Sequence, residues 1–184
     1  LRCEGRCGVL VGLQAVAFLN RRYARLPSGP SLLSLTFTRE TAEDVRASTI
    51  PPQVFDLGVC VEPLPSRAIP QPSNKPLRVG TDTKPNLLAQ AVATQVADLP
   101  EDDILHVTTV LTGSPRLIEL RTLRLFQGLA LAYTWQVLPK DSSRPGRKFQ
   151  FSPWLNKEPH ADRDEGSIDV LQLKVSPLGM PLGS

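Results

Sequence analysis

Two stretches carry the same phrase: Val54–Pro65, VFDLGVCVEPLP, and Ile168–Gly179, IDVLQLKVSPLG. With Leu57 laid on Leu171, Val59 falls on Leu173, Val61 on Val175, Pro63 on Pro177 and Leu64 on Leu178. Apolar residues at alternate positions mark a half-buried strand, and a proline, which cannot donate to a ladder, stops it. A strand-and-stop phrase used twice suggests a chain built from two related halves.

Outward from the first phrase, residues 1–6 (LRCEGR) alternate as a short strand, and Gly5 and Gly8 bracket a turn. Residues 9–25 (VLVGLQAVAFLNRRYAR) are apolar nearly all round and then basic at Arg21, Arg22 and Arg25. That pattern is a buried helix whose last turn complements its dipole. Residues 31–38 (SLLSLTFT) form a strand, residues 39–53 (RETAEDVRASTIPPQ) a polar hairpin connection, and VFDLGVCVEP the return strand. Residues 65–75, rich in proline and without periodicity, are a linker.

Around the second phrase the order is similar. Residues 77–83 (LRVGTDT) form a strand, and residues 84–100 a helix with Pro85 at its start. Residues 103–111 (DILHVTTVL) form a strand, and Ser114 caps a helix over 115–133 that Gly128 breaks or ends. Residues 134–139 (TWQVLP) and 147–154 (RKFQFSPW) look like strands, and residues 167–177 close the series. The shared order argues for a tandem duplication. Leu1 and Cys3 head the first copy as Leu105 and Val107 head the second. The second copy then gains about ten residues within KDSSRPGRK or WLNKEPHADRDEG. The resulting division is 1–64, a partial βαββ unit; 65–75, the linker; 76–178, a complete βαβαββ unit; and 179–184, a tail.

LRVGTDTKPNLLAQAVATQVA resembles the opening of the stage V sporulation protein S family, of the Alba-like superfamily. GVLVGLQAVAFLNRRYA is similar to that family's second helix and TIPPQVFDLGVCVEP to its final strand, which closes on V-E-P. The second copy departs from the pattern before its second helix, with VLTGSP in place of a Gly- and Ala-rich turn. The resemblance implies an α/β class protein, an α+β two-layer sandwich with a four-stranded mixed sheet, two helices on one face and the first strand at an edge. The first copy lacks its opening strand and helix. The resemblance further implies dimer-like pairing and binding of DNA or RNA through the loop after the first strand and the hairpin between the last two strands, without enzyme activity.

Composition sets bounds. No apolar run reaches the roughly 18 residues needed to span a bilayer, so the expectation is a protein that does not span the membrane. A net charge of +3 and a pI near 8.9 permit an anionic partner without demanding one. Three cysteines, Cys3, Cys7 and Cys60, do not make a disulfide scaffold and favour a reducing compartment. The sequence begins at Leu1 and its only methionine is Met180. A removed targeting peptide, which would place the protein in an organellar matrix or stroma, and an N-terminal region left out both fit.

The candidate nucleic-acid surface joins Lys84, in the loop before a helix, with Arg144, Arg147 and Lys148 in the second hairpin, DSSRPGRKFQF. Phosphate neutralisation by such cations supplies most non-specific affinity. Trp135, Phe149, Phe151 and Trp154 nearby could stack on bases, or pack inward. The cluster reads equally as a solvated hairpin, and RETAEDVR mixes signs too much to hold phosphate. Cys3 and Cys7 lack two further zinc ligands at local spacing, and Asp162-x-Asp164-x-Gly166 lacks the later glutamate of a calcium loop. With no phosphate-binding Gly-rich loop and no histidine beside a nucleophile, no cofactor, small-molecule substrate or catalysis is expected. Two readings remain: a nucleic-acid-binding module, or a structural subunit of a larger, organellar assembly.

Overall fold

Strand-forming stretches and helix-forming stretches alternate in the first half of the chain, and again in the second until its two closing strands. The computed structural model describes residues 1–26, 31–49, 52–63, 75–100, 103–137, 146–159 and 166–178. Along them run β1 (Arg2–Glu4), α1 (Gly5–Tyr23), β2 (Ser31–Phe37), α2 (Arg39–Ala47) and β3 (Val54–Pro63). Then come β4 (Leu77–Val79), α3 (Pro85–Asp98), β5 (Leu105–Val110), α4 (Pro115–Val137), β6 (Phe149–Pro159) and β7 (Ser167–Pro177). The second half follows the expected βαβαββ order. The 65–75 linker lies, except for its last residue, outside the described residues, as does the 179–184 tail.

The seven strands form one mixed sheet in the order β1-β3-β2-β6-β7-β5-β4. β4 joins β5 in parallel; every other pair is antiparallel. The order 1-3-2 is mirrored by 6-7-5 across the β2–β6 junction, and β4 is the extra strand at the far edge. One parity of every strand points into a single apolar cluster: Cys3, Leu33, Leu35, Phe37, Phe55, Leu57, Val79, Leu105, Val107, Phe149, Phe151, Leu171, Leu173 and Val175. Buried residues of all four helices belong to the same cluster, so the helices cover one face only. At its centre, Phe126 of α4 lies 4.8 Å from Phe55 and 5.1 Å from Phe37, ring centre to ring centre. Both halves therefore share one core.

At the β2–β6 junction a single residue pair, Leu35 with Phe151, is in register. Two residues along, Pro153 faces Leu33 and has no N–H to give. Asn20 of α1 takes the place of that rung: its Nδ2 donates to the Leu33 carbonyl (3.1 Å) and the Pro153 carbonyl (3.0 Å). Its Oδ1 accepts from the Leu33 N–H at 2.5 Å. Three buried backbone groups are satisfied by one buried amide.

Several expectations are corrected. Residues 39–47 are a helix, not a hairpin connection. Thr38 accepts from the Thr41 N–H as its N-cap, and Thr41, Ala42 and Val45 are buried. Gly5 and Gly8 do not bracket a turn; α1 starts at Gly5. TWQV continues α4 to Val137 instead of forming a strand. Gly128 neither breaks nor ends α4. A Cβ there would lie 2.5 Å from Leu88 Cδ2, so glycine lets α3 pack close.

The matching of strand heads also shifts. Cys3 pairs with Phe55. The two phrases place Phe55 on Asp169, whose carbonyl accepts from the Leu111 N–H. Cys3 thus corresponds to Leu111 rather than Val107. The same shift puts Gly5 on Gly113, and these two glycines have positive φ, 67° and 110°, each at a strand-to-helix turn.

Candidate interaction surfaces

The described basic candidates, Lys84, Arg147 and Lys148, do not gather on one surface. β4, β5 and β6 run in the same direction, because β4 is parallel to β5 and both β5 and β6 are antiparallel to β7. Lys84 follows the end of β4 and is exposed at the N-cap of α3. Arg147 and Lys148 precede the start of β6, at the opposite end of the sheet. Arg147 donates from Nη1 to the Leu99 carbonyl, where α3 ends, and is half-buried there; Lys148 is exposed. Arg144 lies outside the described residues. The stretch DSSRPGRKFQF connects α4 to β6 and is not the hairpin between the last two strands. In that hairpin β6 and β7 are joined by residues 160–165, which include the acidic Asp162 and Asp164 and are not described.

The aromatics divide likewise. Phe149 and Phe151 are fully buried in the core and cannot meet a base. Trp135 is exposed on α4. Trp154 stands on the helix-free face of the sheet, with the Lys174 ammonium 4.5 Å from its ring centre, a cation–π contact. One face of the ring is therefore occupied.

That helix-free face carries a polar relay. Asn156 Nδ2 donates to Gln172 Oε1 (2.7 Å), which orients the Gln172 amide to donate to His106 Nδ1 (3.1 Å). The neutral ring then carries its proton on Nε2, which is buried without a partner, as is Trp154 Nε1. Burial first, and then the Lys174 charge, push the His106 imidazole below its ordinary value; burial pushes the Lys174 ammonium down as well. Arg78 on β4 donates to Glu158 on β6 at 3.1 Å, which brings the far part of the β6–β7 pair towards the β4 edge. Among the described residues no three His, Cys, Asp or Glu side chains gather as metal ligands, and no helix is long and apolar enough to cross a membrane.

The helix-covered face is complete in the second half and incomplete in the first. Leu173 and Val175 are fully buried. Their counterparts Val59 and Val61 are 50% and 65% exposed, although they lie beside the buried Leu35 and Leu33 on the same face. To the side, α1 packs on β6, β2 and α4; it buries Val9, Leu13, Val16, Ala17 and Asn20 but exposes Val11 (56%), Ala15 and Phe18 (61%). The position of the bare surface was not legible in the sequence, because it depends on how the helices cross the sheet. No protein-family profile, curated protein or solved structure matches this chain.

Proposed function

We propose that the chain is a non-catalytic structural subunit of a larger protein assembly, built from two Alba-like units. The observation that carries this reading is the contrast between Val59 and Val61, open to solvent, and Leu173 and Val175, fully buried at the matching positions. Exposed apolar residues on a sheet face that helices cover elsewhere mark a protein contact. The Alba-like reading is supported by the β4-α3-β5-α4-β6-β7 order, by the parallel β4–β5 pair at an edge, and by the mirrored order of β1-β3-β2. Positive-φ glycines at both strand-to-helix turns support duplication.

Nucleic-acid binding is the second reading, favoured by one observation. α1 runs back from Gly5 to Tyr23 and delivers Arg21, Arg22 and Arg25, all exposed, to the start of β2. The antiparallel β2–β6 pair puts that point at the end of the sheet where Lys84 lies. Four exposed cations at one end are a modest phosphate-binding surface.

The size of the native particle, measured by gentle extraction and sedimentation before and after ribonuclease and deoxyribonuclease treatment, separates the two. A subunit sediments far above its 20.1 kDa mass and is unaffected by nuclease. A particle that collapses to a monomer on nuclease treatment contradicts the structural reading and supports the second. A nuclease-insensitive monomer contradicts both.

A further inference from the structure

We infer that Asn156, Gln172 and His106 form a proton-operated switch on the helix-free face of the second half, in which a proton taken up at His106 Nδ1 reverses both hydrogen bonds of the relay. The register of the sheet sets the three on a diagonal. His106 on β5 stands opposite Lys174, so Gln172 on β7 is two residues along and shares its face. Asn156 on β6 stands opposite Val170, again two residues from Gln172. Diagonal neighbours on one sheet face lie within reach of long side chains. Here two amides and an imidazole join end to end, at 2.7 and 3.1 Å.

The ring fixes the direction of both bonds. A side-chain amide offers donors at one end and an acceptor at the other. While His106 Nδ1 is unprotonated it accepts from Gln172 Nε2, which leaves Gln172 Oε1 to accept from Asn156 Nδ2. A second proton enters the ring at Nδ1, because Nε2 already holds one. Nδ1 then meets Gln172 Nε2 as donor against donor. Gln172 must turn its amide over to present Oε1, and its Nε2 then confronts Asn156 Nδ2, which must turn over in the same way. His106 is 9% exposed, so bulk water does not supply the missing acceptor. Asn156 is exposed, and there the reversal ends. One proton on β5 resets an amide on β7 and another on β6.

The groups around the ring set the acidity at which this happens. Burial, and then the Lys174 ammonium opposite on β7, oppose a second charge, whereas Asp103 ahead of β5 favours it. Arg78 of β4 shares the face and is paired with Glu158 of β6. The helices lie on the other face and send no charge to the ring. An unfolded imidazole takes its proton at about pH 6.5, ahead of the folded one, so stability falls as pH drops through that range. Acid thus loosens the tie across β5, β7 and β6. Residues 1–64 contain no histidine, so the first half carries no such device.

The test is a nitrogen-15 NMR titration of the chain from about pH 8 to about pH 5, following the His106 ring and the side-chain amides of Gln172 and Asn156. The neutral ring is expected to carry its proton on Nε2 and to titrate below about pH 6.5, with both amides moving at the same midpoint. Gln172→Glu sets a carboxylate against Nδ1 and should raise the proton affinity of the ring about tenfold or more. His106→Asn takes no proton and should at least halve the drop in melting midpoint between about pH 7.5 and about pH 5.5. A neutral ring protonated on Nδ1, a ring still neutral at the acid limit, or a ring that titrates while both amides stay put overturns the inference. So does an unmoved midpoint in Gln172→Glu, or an equal drop in melting midpoint with and without His106. Should either variant misfold, the titration of the parent chain decides alone.

Discussion

Asn20 joins the two halves at the scale of one side chain. Its amide stands in for the rung that Pro153 cannot form, bonding Leu33 N–H, Leu33 C=O and Pro153 C=O. Truncation to alanine strands three buried backbone groups, and each such group costs about 1–3 kcal/mol. Asn20→Ala should lower the unfolding free energy by about 3 kcal/mol or more in urea titration, whereas a loss below about 1 kcal/mol would mean that the junction is held by other contacts. Little of this was legible. The stretch LNRR reads as the polar end of a helix, and only Pro153 in the middle of a strand signals a ladder in need of repair. The basic candidates illustrate the same limit, because a shared charge does not place Lys84 and Arg147 at the same end of a sheet.

At the scale of elements, local pattern served well where apolar periodicity was long and failed where it was short. The strands of both phrases and helices α1, α3 and α4 follow from alternation and helical spacing. α2 was concealed by its charge: within nine residues only Ala42 and Val45 are buried apolar side chains, and the cap at Thr38 resembles a polar loop. The end of α4 was misread because TWQV has strand propensity, which burial against α2 and α3 overrides. Thr134 Oγ1 donates to Ala130, and Gln136 Nε2 donates to the Ala93 carbonyl at 3.2 Å. Gly128 gives an element-scale prediction. Glycine to alanine inside a helix ordinarily gains up to about 1 kcal/mol, but the new methyl would press into Leu88. Gly128→Ala should therefore destabilise by about 1–3 kcal/mol, and by less than half as much in a Leu88→Ala background. Equal costs in both backgrounds would show that α3 does not depend on the close approach.

At the scale of the whole molecule, the described residues form a seven-stranded sheet with one covered face, and that face is finished at only one end. The repeated phrase marks β3 and β7, which hold matching places in the sheet order. It did not foretell that β2 and β6 merge the two halves of the chain into one sheet over one core, because a pairing between strands so distant in sequence leaves no local pattern. It also left the bare surface unlocated. Val59 and Val61 read as core as plainly as Leu173 and Val175 do, and only the layer above them distinguishes the four. The polar relay from Asn156 through Gln172 to His106 occupies the other face and takes no part in this asymmetry.

Residue-resolved hydrogen exchange, on the isolated chain and on the native particle, tests the missing cover most directly. Groups on a free edge exchange with little protection, and those in a ladder exchange through rarer opening. The amides of Arg2 and Glu4 should exchange rapidly in the isolated chain and at least about tenfold more slowly in the particle, while those of Val107 and Leu173 stay equally slow in both. Equal rates for Arg2 and Glu4 in the two samples would contradict the claim that this edge of the sheet is covered in the assembly.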